Sequence, residues 1–352
     1  MRLACLLISV SAFAQIVYPQ KDWQRTKPED VGYSSAKLEV LRAWLKTQKT
    51  TALHVSVQGR VIFEYGDVAL VSKVASIRKS VLAMLFGNYY QAGKVDVTKT
   101  VEELGLQDVE PFLAIERNAT LLHLLTARSG IYHASGNEEL TSSSPRRGAQ
   151  APGTYMQYQN WDFNAAGTAF EKITGKGIFA ALETDLAKPL GMQDFDVKKQ
   201  KKNSSMPDSV HPEYAMYLST RDMARLGLLM LADGAWGEKQ VMPKGWSGRI
   251  TTLVTPHQEM HPVPLSLRTR PGLWGYGTLW WVWDAPVWGN IVTGPYQGAY
   301  SAMGAFGQYI TVLPAMNVVI AHKVDYEKDG TPQVTPSEFH TILQMIIDST
   351  GN

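Results

Sequence analysis

Ser76-Ile77-Arg78-Lys79-Ser80-Val81-Leu82-Ala83-Met84-Leu85-Phe86-Gly87-Asn88-Tyr89-Tyr90-Gln91 is an apolar run that opens on a serine and carries a lysine three positions later. It predicts a helix starting near Ser76 and stopping at Gly93. At a helix start the backbone N–H groups point outward and favour a developing negative charge. One turn on, Lys79 points to the same side and can reach the Ser76 hydroxyl. Burial weakens an amine's hold on its proton, so such a lysine can accept the proton of a serine. The spacing S-x-x-K is not decisive, because roughly one or two matches arise by chance in a chain of this length at average composition. A second match, Ser34-Ser35-Ala36-Lys37, reads as an ordinary helix cap. The bland reading of Ser76 is likewise a cap followed by a surface lysine.

Upstream, Leu53–Val57 and Val61–Tyr65 flank Gln58-Gly59-Arg60, a hairpin signal, and Leu38, Leu41 and Leu45 repeat at helical spacing after Ser34-Ser35. The first residues combine Arg2, an apolar run from Leu3 to about Val10, and Ala12-Phe13-Ala14. That layout predicts a secretory signal over 1–14, cleaved after Ala14, and an exported protein, periplasmic or extracellular. The run is far shorter than the ~20 residues of a spanning helix, so no membrane anchor is expected after cleavage. The single cysteine, Cys5, falls inside this segment, which excludes disulfides and a thiol nucleophile from the mature chain.

Downstream, residues from about 101 to 249 are helical in pattern with many Gly and Pro breaks. Strand character returns in 277–283, 308–314 and 317–325, the last two joined by Pro314-Ala315-Met316. Thr335, Pro336 and Glu338 form a capping box before a final helix. The order predicts one sheet built from both chain ends, with a helical region inserted between them. With 352 residues, 45% hydrophobic and 19% charged, the chain can bury a large core. A net charge of +2 gives no reason to expect nucleic acid. Trp274, Trp280, Trp281 and Trp283 cluster, and can line a pocket or fill a core.

Tyr158-Gln159-Asn160 is the only Y-x-N in the chain. A tyrosine close to a lysine ammonium can share its proton, deprotonate a serine and later activate water. With this element, the chain resembles the β-lactamase-related serine hydrolases, a superfamily of class C β-lactamases, D,D-peptidases, D-aminopeptidases, esterases and 6-aminohexanoate-dimer hydrolases. The resemblance spans about residues 30 to 345. PGTYMQYQNWDFNAAGTAFEKITG is similar to the family's segment around its tyrosine, LLHLLTARSGI to the helix and Ser-Gly turn before it, and STRDMARLGLLML to the helix after it.

The resemblance implies an α+β fold of β-lactamase/transpeptidase type. It consists of an antiparallel sheet with helices on its faces and an inserted all-α region, in one catalytic domain over 15–352. The sheet part is expected at about 15–100 and 250–352, the helical part at about 101–249. It also implies Ser76 as acyl-forming nucleophile, Lys79 as the helix lysine, Tyr158 as general base and Asn160 as a substrate-orienting residue. The family's third element is a strand with a Lys-Thr-Gly or His-Thr-Gly motif ahead of a Phe-Gly or Phe-Ser step. Counting back from Phe306-Gly307 puts Ala299-Tyr300-Ser301 there as substrate-binding residues, with the N–H of Ala302 sharing the oxyanion hole with that of Ser76.

Ala299 in place of a cation departs from the relatives that grip a substrate carboxylate. Losing a charge-assisted hydrogen bond forfeits roughly 1.5–3 kcal/mol. The expectation is therefore an esterase or amidase on a neutral small-molecule ester or amide, with no cofactor and no metal. Two other readings stay open: a penicillin-recognising sensor or D,D-peptidase type that acylates on Ser76 with slow turnover, and a degenerate scaffold. His257-x3-His261 lacks a helix that would join its rings, since Pro256, Pro262 and Pro264 surround it. His133 and Arg128 read as loop residues beside Ser129-Gly130.

Overall fold

The computed structural model describes residues 16–137, 144–204, 206–261, 274–284, 294–328 and 330–351. The expected signal segment with Cys5, and Pro262 and Pro264, lie outside the described residues. Helix α1 (Ser35–Leu45) is capped by the Ser34 hydroxyl, which accepts from Lys37 N. A hairpin of β1 (Ala52–Val57) and β2 (Arg60–Gly66) follows. Its turn has positive φ at Gln58 and Gly59, and a Cβ at Gly59 would meet Val17 O at 1.8 Å. Only glycine fits there.

Next come α2 (Ile77–Gln91), α3 (Leu121–Leu125), α4 (Asn160–Thr174) and α5 (Thr220–Leu231). The strands β3 (Trp274–Tyr276), β4 (Trp281–Trp283), β5 (Tyr300–Gly304), β6 (Gln308–Leu313) and β7 (Val318–Lys323) precede α6 (Pro336–Asp348). The sheet has seven strands in the order β3-β4-β5-β6-β7-β1-β2, every neighbour antiparallel. Because β7 pairs with β1, the sheet joins the two ends of the chain, and the inserted helices lie between them.

Two apolar cores cover the faces. Leu38, Leu41 and Leu45 of α1 and Ile342, Leu343 and Ile346 of α6 pack with Val55 and Ile320 on one side. On the other, α2 is buried on every side from Ile77 to Gly87. A helix apolar all round belongs between layers, and α2 packs between β5 and α4. Helix α5, expected within the helical insertion, instead packs on the sheet. Gly227 permits this: a Cβ there would meet Val319 Cγ1 at 2.5 Å and Ile310 Cγ2 at 2.9 Å.

Candidate active site

Ser72 and Lys73 pair with Leu218 and Tyr217, and Val74 N donates to Met216 O, so the chain enters α2 along a fixed edge. Ala75 then adopts φ +46°, a sparsely populated conformation for a residue with a Cβ. This kink turns the chain sharply into the helix at Ser76. Unlike Ser34, Ser76 makes no side-chain capping hydrogen bond, and it lines a cavity of about 430 Å³. The bland reading of Ser76 as a cap fails.

Lys79 is 1% exposed, so it is no surface lysine. Its Nζ lies 2.9 Å from the Tyr158 hydroxyl oxygen. The ammonium also sits 4.3 Å from the Tyr158 ring centroid and 4.4 Å from that of Phe163. Aromatic faces attract a cation that water no longer reaches. Phe163, one helical turn into α4, thus belongs to the site, although its sequence position shows only another apolar residue. Tyr158 is fixed by rings on three sides, Phe163 at 4.9 Å, Trp281 at 5.4 Å and Tyr276 at 5.8 Å between centroids. Its backbone neighbours are anchored too. Gln157 N donates to Ala127 O, and the Gln159 amide and the Ser129 hydroxyl both donate to Asp162 Oδ1. That is the structural job of the Ser129-Gly130 turn.

Arg78, beside the site in sequence, points away to Asn164 Oδ1 at 2.9 Å and lies 3.8 Å from Glu213. Asn160 is the first residue of α4, and its amide donates to Asn137 O at 3.4 Å. It does not line the cavity.

The strand contribution differs from the expectation. Trp283 N donates to Ala299 O, so Ala299 faces β4. Backbone N–H and C=O of a strand residue point to the same side and alternate along the strand. The polar groups of Ser301 and Met303 therefore turn toward β4, and those of Tyr300, Ala302 and Gly304 toward β6, while Ala305 is the first residue of the turn beyond β5. Ala302 sits opposite Ile310, so its N–H is committed to the ladder and its side chain is buried in the core. Ser301 hydrogen-bonds Thr311, Tyr300 packs edge-on against Trp280, and Ala299 is fully buried. None of Ala299, Tyr300, Ser301 and Ala302 lines the cavity.

β4 begins at Trp281, opposite Ser301, so the Met303 N–H and the turn residue Ala305 lie past its edge. Met303, Gly304 and Ala305 line the cavity together with Trp281, Phe306 and Tyr309. Gly304 is the point of closest approach: a Cβ there would lie 2.7 Å from Val74 O and 3.1 Å from Ser76 N. Counting back from Phe306-Gly307 reaches too far up the strand, since Met303 to Gly307 line the cavity and Ala299 to Ala302 do not. Only the paired register shows which amides remain open.

The aromatic cluster divides. Trp280 is fully buried and Trp281 lines the cavity, while Trp274 and Trp283 pack on each other at 5.0 Å. His133 lies 3.1 Å from Asp108, and Arg128 donates to Thr255 and Gly153 O, both in loop-holding roles. His257 bonds Asp284, and the side chain of His261 lies outside the described residues. Among the described residues, no group of three or more His, Cys, Asp or Glu could hold a metal ion. No helix among them is long and apolar enough to cross a membrane.

A family model described as Beta-lactamase matches residues 46–328. An uncharacterised protein of Alkalihalophilus pseudofirmus is 23% identical over 284 residues, 74% of each chain. Two solved structures share the fold. A penicillin-binding protein homologue from Caulobacter crescentus has a TM-score of 0.64 at 13% identity, covering 90% of this chain and 99% of that one. EstCE1, described as a hydrolase with promiscuous acyltransferase activity, has a TM-score of 0.62 at 12% identity, covering 92% and 98%. With a family match over most of its length and a sheet, helical insertion and serine-bearing helix in the matching order, the chain belongs to the β-lactamase family and carries the β-lactamase/transpeptidase-like fold of its serine hydrolases.

Proposed function

We propose that this protein is a serine hydrolase that forms an acyl-enzyme on Ser76 and acts on a neutral ester or amide. The observation that carries the reading is the Lys79–Tyr158 pair at 2.9 Å, with Tyr158 and Ser76 on the wall of one cavity. The pair takes the proton of Ser76 as its oxygen attacks the carbonyl carbon. The N–H of Ser76 and, in place of Ala302, the N–H of Ala305 hold the oxyanion. As the tetrahedral intermediate collapses, the leaving group takes a proton from Tyr158. A water molecule, deprotonated by the same pair, then attacks the acyl carbonyl, and Ser76 regains its proton as the acid leaves.

The neutral substrate follows from the walls. Among the described residues the cavity lining carries no charged side chain, and Trp281, Met303, Phe306, Tyr309, Val334 and Pro336 make most of it apolar. A carboxylate there would lose its water without gaining a cation. The test is a panel of short-chain nitrophenyl esters, a linear amide, a chromogenic cephalosporin and a D-Ala dipeptide. The neutral esters or the amide are expected to dominate. Dominant cephalosporin turnover would overturn the substrate class, and a burst with no steady release would favour a sensor. We also propose export, on the signal-like start of the sequence. Fractionation of expressing cells checks it, and a cytoplasmic, unprocessed chain would reject it.

A further inference from the structure

The turn joining β5 to β6, Ala305-Phe306-Gly307, holds an energetically unfavourable shape. Phe306 has φ +65°, where a bulky side chain is a rare outlier, and Gly307 has φ +102°. Such conformations are unfavourable for a residue with a side chain and persist only where the surroundings enforce them. Ala75, immediately before Ser76, is strained in the same sense. The two amides proposed to hold the oxyanion thus each adjoin a left-handed non-glycine residue.

Four contacts enforce the turn, three of them from residues that do not line the cavity. The Phe306 ring stacks on Tyr326, with centroids 4.6 Å apart and planes at 23°. Val334 N donates to Phe306 O at 3.2 Å. The Gln308 amide donates to Val324 O at 2.7 Å. His322 Nδ1 lies 2.8 Å from Gly307 O, and its Nε2 lies 2.9 Å from the Thr50 hydroxyl. Gly307 O can only accept, so Nδ1 carries the proton and Nε2 accepts from Thr50. His322 is fully buried, and burial lowers its pKa to about 4, so the imidazole is neutral at pH 7. Neither His322 nor Tyr326 lines the cavity.

We propose that His322 and Tyr326 are positioning residues that brace the Ala305–Gly307 turn from behind and so keep the Ala305 N–H aimed into the cavity. The inference rests on the hydrolase reading above. It predicts that loosening the brace weakens oxyanion binding and leaves substrate binding intact. Losing a whole oxyanion donor costs about 10²–10³ in kcat, so misaiming one should cost about 10-fold or more.

The experiment compares wild type, His322→Leu, Tyr326→Ala, His322→Gln, Tyr326→Phe and Ser76→Ala on a neutral aryl ester and on its thionoester counterpart. The sulfur of the thionoester accepts amide hydrogen bonds poorly, so the oxygen-to-sulfur rate ratio reports the oxyanion hole. His322→Leu and Tyr326→Ala should lower kcat about 10-fold with little change in KM, and should shrink that ratio. Tyr326→Phe keeps the stack and His322→Gln keeps a donor, so both should retain the ratio. A fold-only defect would lower active concentration and leave the ratio unchanged. Should His322→Leu fail to fold, the half-buried Tyr326 position decides. Unchanged kcat and ratio in folded Tyr326→Ala overturn the brace. Turnover that survives Ser76→Ala, or is absent from wild type, instead sinks the hydrolase reading and the brace with it.

Discussion

The Lys79 amine meets the Tyr158 hydroxyl at 2.9 Å although 79 residues separate them in the chain. Helix α2 supplies the amine from within the core, and the segment leading into α4 supplies the phenol. The pair exists only when the inserted helical region has closed over α2.

Removing either member of the pair should stop chemistry without emptying the site. Tyr158→Phe keeps the ring stack and removes the hydroxyl, so kcat should fall about 10²–10⁴-fold, the worth of a positioned acid–base group. KM should change little. Steady-state kinetics check this, with labelling by a fluorophosphonate probe that wild type accepts and Ser76→Ala does not. Labelling of Ser76→Ala at the wild-type rate would refute the assignment of the nucleophile.

Gly304→Ala tests the approach of β5 to the nucleophile. The added methyl would lie 2.7 Å from Val74 O and 2.9 Å from Gln308 Cβ, contacts that real structures do not contain. The strand and the Ser76 turn must separate, so kcat should drop at least about 10-fold through the oxyanion geometry. Near-wild-type kcat with an unchanged melting temperature would mean that this approach is unimportant.

Much of this site was legible in the sequence because it depends on local rules. The S-x-x-K spacing puts Ser76 and Lys79 on one helical turn, and the capping box at Thr335 and Glu338 forms as read. The tyrosine needed the family resemblance, since Y-x-N alone carries no spatial information. The open amides of β5 were not legible. Which of two alternating sets faces the cavity depends on the Trp283–Ala299 hydrogen bond and on where β4 begins, and both are long-range facts. Phe163 and Val334 were invisible for the same reason. An apolar residue in a helix or before one looks identical whether it fills a core or walls a pocket.

The neutrality of the cavity can be reversed by one exposed residue. Gln333 lines it and is solvent-accessible, so Gln333→Arg should fold normally. An arginine fork binds a carboxylate bidentately, and a charge-assisted pair is worth about 1.5–3 kcal/mol. The kcat/KM for a carboxylate-bearing ester should rise about 10-fold relative to its neutral analogue. Equal responses of the two substrates would show that substrate does not reach this wall.

Arg225 ties the first described residues to the body. It is fully buried, and its guanidinium donates to Leu190 O, Gln20 O and Lys21 O at 2.6–3.1 Å. Arg225→Met would leave these carbonyls without their donor, at a cost of about 3 kcal/mol or more. Thermal melting should fall by about 4 °C or more, and protease should cut first near residues 16–26. An unchanged melting temperature would show that water replaces the guanidinium.

Two buried bases in β7 make part of the pH dependence of stability, alongside His54 and His211, whose pKa values burial also lowers to about 3 and about 4. Burial lowers the His322 pKa from 6.5 to about 4. Between these values the unfolded chain holds a proton that the folded chain refuses. The contribution is complete above pH 6.5 and is lost as pH falls toward 4, by about 3 kcal/mol in all. Lys323 obeys the same sign in another window. Burial lowers its pKa from 10.5 to about 7, against the opposing pull of Asp325 and other carboxylates, so stability should climb as pH rises from 7 toward 10. Its Nζ also donates to Leu70 O at 2.9 Å and to Leu218 O, contacts that favour the charged form and temper the rise. Denaturant unfolding at stepped pH should therefore give a curve that ascends through both windows. His322→Gln should make the acid limb less steep and leave the alkaline limb, the remaining acid slope coming from His54 and His211, and Lys323→Met should flatten the alkaline limb and leave the acid one. A curve that descends with pH between 7 and 10 in wild type would mean that the two carbonyls outweigh burial and that Lys323 stays charged.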